Sequence, residues 1–202
     1  MAGKFITLEG IDGAGKSSHS SFIVERIKCR GIEVVSTREP GGTALGEKLR
    51  SVVLNEKMHA DTETLLMFAS RTEQLAEVIS PALARGAWVL CDRFTDSTFA
   101  YQCGGRGQSE TRIAAMEQWV HGHLQPDLTL LFDAPLEVAR ERLKMGTSSP
   151  DKFEREQEVF FASVRAAYLK RAAQFPQRIK VVDSARSLAD IRTDLAKLID
   201  SL

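Results

Sequence analysis

The stretch Gly10-Ile11-Asp12-Gly13-Ala14-Gly15-Lys16-Ser17 constrains this chain more than any other. It fits a pattern of glycine, four residues of any type, then Gly-Lys-Ser. Phe5 to Glu9 before it reads as a strand, and Ser18 to Arg30 after it as a helix with Phe22, Ile23 and Ile27 on one face. Strand, loop and helix in that order make a phosphate cradle. Gly10, Gly13 and Gly15 let successive amides turn into one concavity, and the helix adds its positive N-terminal end. Lys16 supplies charge for β- and γ-phosphates, and the Ser17 hydroxyl is placed to ligate magnesium. The loop from Gly10 to Ser17, with the adjoining Ser18, is the candidate nucleotide-phosphate site.

The rest of the chain alternates strands with helices. Ile32 to Ser36 reads as a second strand, ended by Thr37-Arg38-Glu39-Pro40-Gly41-Gly42. Leu45, Leu49, Val52 and Val53 recur at helical spacing, and Asp61 or Thr62 is a candidate cap for a helix through Leu65, Leu66, Phe68, Leu75 and Ile79. Ser80-Pro81 is expected to kink or restart it. Ala87 to Cys91 is a continuous apolar run, as in a buried parallel strand. A polar segment through Gly107 precedes a helix from Ser109 with Ile113, Met116, Trp119 and Val120 inward. Leu128 to Phe132 is the fourth strand, and Pro135 opens a helix through Val138 and Leu143. A small, polar loop leads to a helix over about 154–175, a strand from Ile179 to Val182, and a last helix capped by Ser187. The pattern predicts one α/β domain over 1–202: a five-stranded parallel sheet, helices on both faces, and ligands at the carboxyl ends of the strands.

Composition narrows the setting. Lys+Arg and Asp+Glu number 27 each, so nothing drives the chain toward nucleic acid or an anionic membrane, and basic sites must be local. Cys29, Cys91 and Cys103 are odd in number and form no metal-type pair, which points to free thiols in a reducing compartment. No apolar run is long enough to span a bilayer. The chain enters its first strand at once, with no room for a signal peptide; a cytoplasmic location is expected.

Three polar clusters follow predicted strands: Glu9 to Ser17, Arg38-Glu39 and Asp92-Arg93. An acid directly after a buried strand, as Asp92 is, suits magnesium. Arg38 and Arg93 can each grip phosphate oxygens bidentately. Arg140, Arg142, Lys144 and Lys152 bracket a loop over about 144–153 that reads as a lid closing positive charge over a transferring phosphate. Phe68 and Arg71 are helix neighbours that could stack on a base and bind its polar edge. His121 and His123, two apart, share no helical face and read as structural.

Five segments together carry a resemblance to bacterial thymidylate kinases across nearly the whole chain. They are Leu8-Glu9-Gly10 with the phosphate loop, Thr37 to Gly42, Leu66-Met67-Phe68-Ala69-Ser70-Arg71, Asp92-Arg93-Phe94, and Ser97-Thr98-Phe99-Ala100-Tyr101-Gln102. The resemblance implies a P-loop kinase fold with a lid, and ATP- and magnesium-dependent phosphorylation of dTMP to dTDP by a homodimer. Arg38 and Arg93 would hold the acceptor phosphate, Phe68 would stack on thymine and Arg71 would bond the base edge. Ser97, Thr98 and Gln102 would lie by the base. Tyr101 would crowd the sugar 2′ position, with Asp12 near the acceptor sugar and phosphates and Glu9 among the substrate-site residues. Ser17 and Asp92 would serve the metal, and Lys16, Arg142, Lys144 and Lys152 the transferring phosphate. Phe94, Cys103 and the lysines at 144 and 152 depart from the usual family residues.

Two other readings share the phosphate loop. A kinase of this fold acting on a deoxynucleoside would want a carboxylate base, for which Glu9 is the candidate; another monophosphate is also possible as acceptor. A nucleotide-switch ATPase would leave Arg38, Phe68, Arg71 and Arg93 without a task.

Overall fold

The computed structural model describes residues 3–145, 151–154 and 156–202. Five parallel strands lie in the order β2-β3-β1-β4-β5: β1 Phe5–Glu9, β2 Val34–Arg38, β3 Trp88–Asp92, β4 Leu128–Asp133 and β5 Ile179–Asp183. Crossover helices make the strands parallel, and the sheet is apolar on both sides as such burial requires. Ile6, Leu8, Trp88 and Leu90 join one cluster with Ile23 and Ile27 of α1 (Lys16–Lys28) and Ile191, Leu195 and Ile199 of α9 (Leu188–Asp200). Phe5, Val89 and Cys91 point the other way, onto Leu75, Ile79 and Ala82. The alternation follows from the two-residue strand period.

Between β2 and β3 run α2 (Ala44–Asn55) and α3 (Ala60–Gln74), the latter continuing through a π-helical turn, Leu75–Ile79, into α4 (Ser80–Ala84). The disturbance expected at Ser80-Pro81 is this wide turn just ahead of the proline, which has no N–H to donate. Of the apolar positions expected inward on α2, Leu45 and Val52 are exposed and Val53 is buried, while Leu65 on α3 is exposed. β2 runs two residues beyond the sequence reading, so Arg38 is its last residue, paired with Asp92 of β3.

The segment after β3 is not an irregular loop. It forms α5 (Thr95–Thr98) and then a π-helix, Phe99–Gly105, packed against α8 (Glu158–Gln174). Its glycines are a contact face: a Cβ on Gly105 would lie 2.4 Å from the Phe160 ring, and one on Gly104 would lie 2.6 Å from the Ala167 methyl. A buried ion cluster fixes α5, with Arg171 Nε donating to Asp96 Oδ1 at 2.9 Å and Arg178 Nη1 to Asp96 Oδ2 at 2.6 Å.

On α6 (Glu110–His121) Ile113 is buried as expected, but Trp119 is 83% exposed. The fully buried His121 lies 4.7 Å from Phe94 and shares a hydrogen bond of 3.2 Å between Nδ1 and the Leu124 carbonyl. Burial lowers its pKa to about 4, in keeping with a structural role. α7 (Leu136–Lys144) follows β4 and carries one side of the phosphate loop. Residues 146–150 of the expected lid lie outside the described residues.

Candidate active site

The phosphate loop leaves β1 with Gly10, Gly13 and Gly15 at φ of 136°, 78° and 97°, conformations that disfavour side chains. Gly15 ends the loop as the N-cap of α1 with no side-chain cap, so the first amides of the helix keep their hydrogen-bonding capacity. Lys16 Nζ bridges the loop's own carbonyls, donating to Gly10 at 2.9 Å and Ile11 at 3.1 Å. Burial, reinforced by Arg93, lowers the Lys16 pKa to about 8 against the pull of Asp12 and Asp92. A buried ammonium held, among the described residues, by carbonyls alone is primed to exchange them for an anion.

A cleft of about 490 Å³ opens over this loop. Asp12, Gly13, Gly15, Lys16, Ser17, Ser18, Arg38, Arg50, Asp92, Arg93 and Arg142 line it; Ile11 and Ala14 are buried in the loop's core-facing side. Arg142 Nη1 comes within 3.5 Å of where a Gly15 Cβ would stand, while its Nη2 donates to the Ser184 carbonyl at 2.8 Å. Arg38 pairs at 2.9 Å with Glu47 rather than with Glu39.

A second, narrower pocket of about 90 Å³ adjoins it, sharing Asp12, Glu39, Arg50 and Arg93. Arg93 forms the junction. Its backbone, at φ 71°, is the one non-glycine left-handed residue among those described, a conformation costing about 1–2 kcal/mol. Its Nη2 donates to Asp12 Oδ1 at 2.6 Å and Tyr101 Oη at 3.1 Å, and its Nη1 to Tyr168 Oη at 3.2 Å and Ser97 Oγ at 3.3 Å. Burial raises the Asp12 pKa, but Arg93 and Lys16 outweigh it and hold the carboxyl below its ordinary value.

Arg71, which lines the same pocket, is 2% exposed. Nε donates to Glu39 Oε2 at 2.8 Å and Nη2 to Thr98 Oγ1 at 2.9 Å, between the rings of Phe68 and Phe94 at 4.9 and 5.0 Å. Nη1 is buried with no partner among the described residues, a donor left over on a side chain that lines the pocket. Ser97, Thr98, Tyr101 and Gln102 line the same pocket from α5 and the π-helix.

Several expectations change. Phe68 does not face the pocket: it is buried behind Arg71 with Phe99 and Ile113, and Met67 lines the cavity instead. One residue along α3 turns a side chain by about 100°, so adjacent positions cannot share the cavity face. Glu9 lines neither cavity. It lies fully buried beneath the site, accepting from Ser97 Oγ at 2.5 Å, Phe94 N–H at 2.8 Å and Tyr168 Oη at 2.9 Å. Burial, then Asp96, raises its pKa to about 7. Of the expected lid cations only Arg142 reaches the cleft. Lys144 is exposed on the last turn of α7, and Lys152 turns onto Glu63 at 2.7 Å.

The sequence reading missed Arg50, which lines both cavities and donates to the Pro40 carbonyl at 3.0 Å. It also missed Met67, Asp151 and Phe153 in the pocket wall and Tyr168 beneath Arg93. Arg50 stands one position from Leu49, and its polarity on a helix adjoining the Thr37–Gly42 loop was an available signal.

A cationic cleft over a phosphate loop adjoins, across Arg50 and Arg93, a narrower pocket lined by a side chain with a spare buried donor. The family model for thymidylate kinase matches residues 8–195. A thymidylate kinase of Cupriavidus necator is 59% identical over the full length of both chains. One of Janthinobacterium is 61% identical over 98% of this chain and 96% of its own. The crystal structure of thymidylate kinase from Ehrlichia chaffeensis superposes with a TM-score of 0.79 at 30% identity, covering 98% of this chain and 99% of that one. Motifs, fold and relatives agree over the whole length, and the chain belongs to the thymidylate kinase family.

Proposed function

We propose that the chain transfers the γ-phosphoryl group of ATP to the phosphate of dTMP, giving dTDP and ADP. The observation that carries this is the junction at Arg93, shared by the phosphate cleft and the narrower pocket. Triphosphate oxygens exchange for the carbonyls now held by Lys16, with loop amides and Arg142 adding charge stabilisation. The acceptor phosphate takes Arg93 and Arg38, with Arg50 beside them; Asp12, already paired with Arg93, keeps that guanidinium aimed at the junction. The acceptor oxygen is anionic near neutral pH, so no general base is required. Burial of Glu9 outside both cavities removes the candidate base for a nucleoside acceptor and weighs against that alternative.

In the pocket, Arg71 Nη1 is free to donate to a base carbonyl, Met67 offers an apolar wall, and Tyr101 closes on the sugar. Asp92 Oδ1 is buried without a partner among the described residues and lines the same cleft as the Ser17 hydroxyl, an oxygen pair that fits magnesium. No group of three or more metal-binding side chains gathers among the described residues, so nucleotide phosphates and water would complete the shell. When bound, the ion supplies charge neutralisation across the phosphates.

The test is ADP release with ATP and magnesium as each monophosphate is offered in turn. Strong dependence on dTMP, with AMP and dGMP poor, is expected; acceptor-independent hydrolysis would overturn the assignment.

We propose further that two copies pair through α2, α3 and α6, which pack side by side and expose Leu45, Val52, Leu65 and Trp119. Light scattering of wild type and Trp119→Lys should show a dimer weakened by the charge; an unchanged mass would refute that face. The unpaired Cys29, Cys91 and Cys103 support a cytoplasmic setting.

A further inference from the structure

Gln102 carries a carboxamide with a donor end and an acceptor end, and only one of them can face a carboxylate. Glu63, in the first turn of α3, is buried to 2% exposure. Its Oε1 accepts from Gln102 Nε2 at 3.1 Å and Arg106 Nε at 3.3 Å, and its Oε2 pairs with Lys152 at 2.7 Å. Burial works against the ionised form, but Lys152 and Arg106 outweigh it and hold the Glu63 carboxyl below its ordinary value. An ionised carboxylate accepts and never donates. The nitrogen of Gln102 is therefore committed to Glu63, and the carbonyl oxygen is the end left for a ligand. That oxygen has no hydrogen bond to the described residues, and Gln102 lines the pocket together with Arg71, whose Nη1 is a buried, unpartnered donor.

We propose that Glu63 is a specificity-positioning residue: by holding the amide nitrogen of Gln102 it makes the pocket offer an acceptor as well as the Arg71 donor. That pair complements a pyrimidine bearing a carbonyl next to a ring N–H, as in thymine and uracil. Cytosine presents an amino group next to an unprotonated ring nitrogen, so donor would meet donor and acceptor would meet acceptor. The inference rests on the dTMP reading above and deepens it: discrimination among pyrimidines is set by a residue outside the pocket. Neither Glu63 nor its ion pairs line that cavity.

Glu63→Gln tests this. Its single amide oxygen goes to Lys152 and Arg106, its nitrogen faces Gln102, and Gln102 turns over. With ATP saturating, kcat and KM are measured for dTMP, dUMP and dCMP. The expected result is a fall of roughly five- to hundredfold in the kcat/KM preference for dTMP over dCMP. It should be carried by KM, with dUMP tracking dTMP. The exchange Glu63→Gln with Gln102→Glu returns an acceptor to the pocket and should restore it, which also serves if the single variant folds poorly. Equal losses on dTMP and dCMP in Glu63→Gln would overturn the inference. So would an unrestored preference in the exchange. Wild type showing no acceptor dependence would overturn the dTMP reading itself, and this inference with it.

Discussion

Replacing Glu9 with glutamine tests the electrostatics under the junction. Glu9 is fully buried and its pKa is raised from 4.5 to about 7, by burial and then by Asp96. Between these values the folded chain holds a proton that the unfolded chain has released, so stability falls as pH rises. The contribution is intact below the unfolded value and is lost as pH climbs through the folded one. At about 1.4 kcal/mol per pH unit, the loss approaches about 3 kcal/mol at pH above 7. Glutamine mimics the protonated carboxyl and does not titrate. Urea unfolding of both proteins at intervals from about pH 5 to about pH 8 isolates the difference, because the remaining groups are common to the two. The variant should gain about 2–3 kcal/mol on wild type across that interval. Parallel stability profiles would refute the reasoning and show that Ser97, Tyr168 and the Phe94 amide hold Glu9 ionised at ordinary pH.

Lys16→Met should reduce turnover by at least about 100-fold while matching or exceeding wild-type thermal stability, since it removes a charge that burial disfavours; near-normal rates would contradict the phosphate-loop assignment. Arg71→Ala leaves the Glu39 carboxylate buried without its cation, at a cost of about 3–5 kcal/mol in unfolding free energy. It should weaken dTMP binding far more than ATP binding by calorimetry, and equal losses would make Arg71 purely structural. Asp92→Asn should raise the magnesium concentration for half-maximal ADP formation by roughly tenfold; an unchanged titration would remove Asp92 from the metal site.

The phosphate loop was legible because its function resides in backbone conformation, written locally in Gly10, Gly13 and Gly15. The buried strands were legible as apolar runs, and Arg71, Arg93 and Tyr101 as polar residues in motifs beside them. What failed was helix azimuth. Met67 and Phe68 are equally apolar, and nothing in their spacing says which faces the cavity and which the interior. Trp119 repeats at core-like intervals yet points outward, and Leu45, Leu65 and Val52 do the same. The segment from Thr95 to Gly107 reads only as a polar stretch with no assigned element; the role of its glycines emerges only with α8 pressed against them. Lys152 shows the same limit in charge: a basic residue near a lid has several acids within reach, and only the packing of α3 selects Glu63.

The π-helix from Phe99 to Gly105 makes this half of the site intolerant of changes in chain length. A π-helix holds one more residue per hydrogen-bonded ring than an α-helix, and removing a residue would let the segment relax into ordinary α geometry. Every side chain on one flank would then swing by about 100° relative to the other. Ser97 and Thr98 lie ahead of the wide turn, whereas Tyr101 and Gln102 lie within it. Point substitutions there alter single contacts, but a one-residue deletion would part the pairs that converge on Arg93 and Arg71. Drift at this stretch should therefore proceed by replacement at fixed length, with insertions and deletions confined to the loops beyond it.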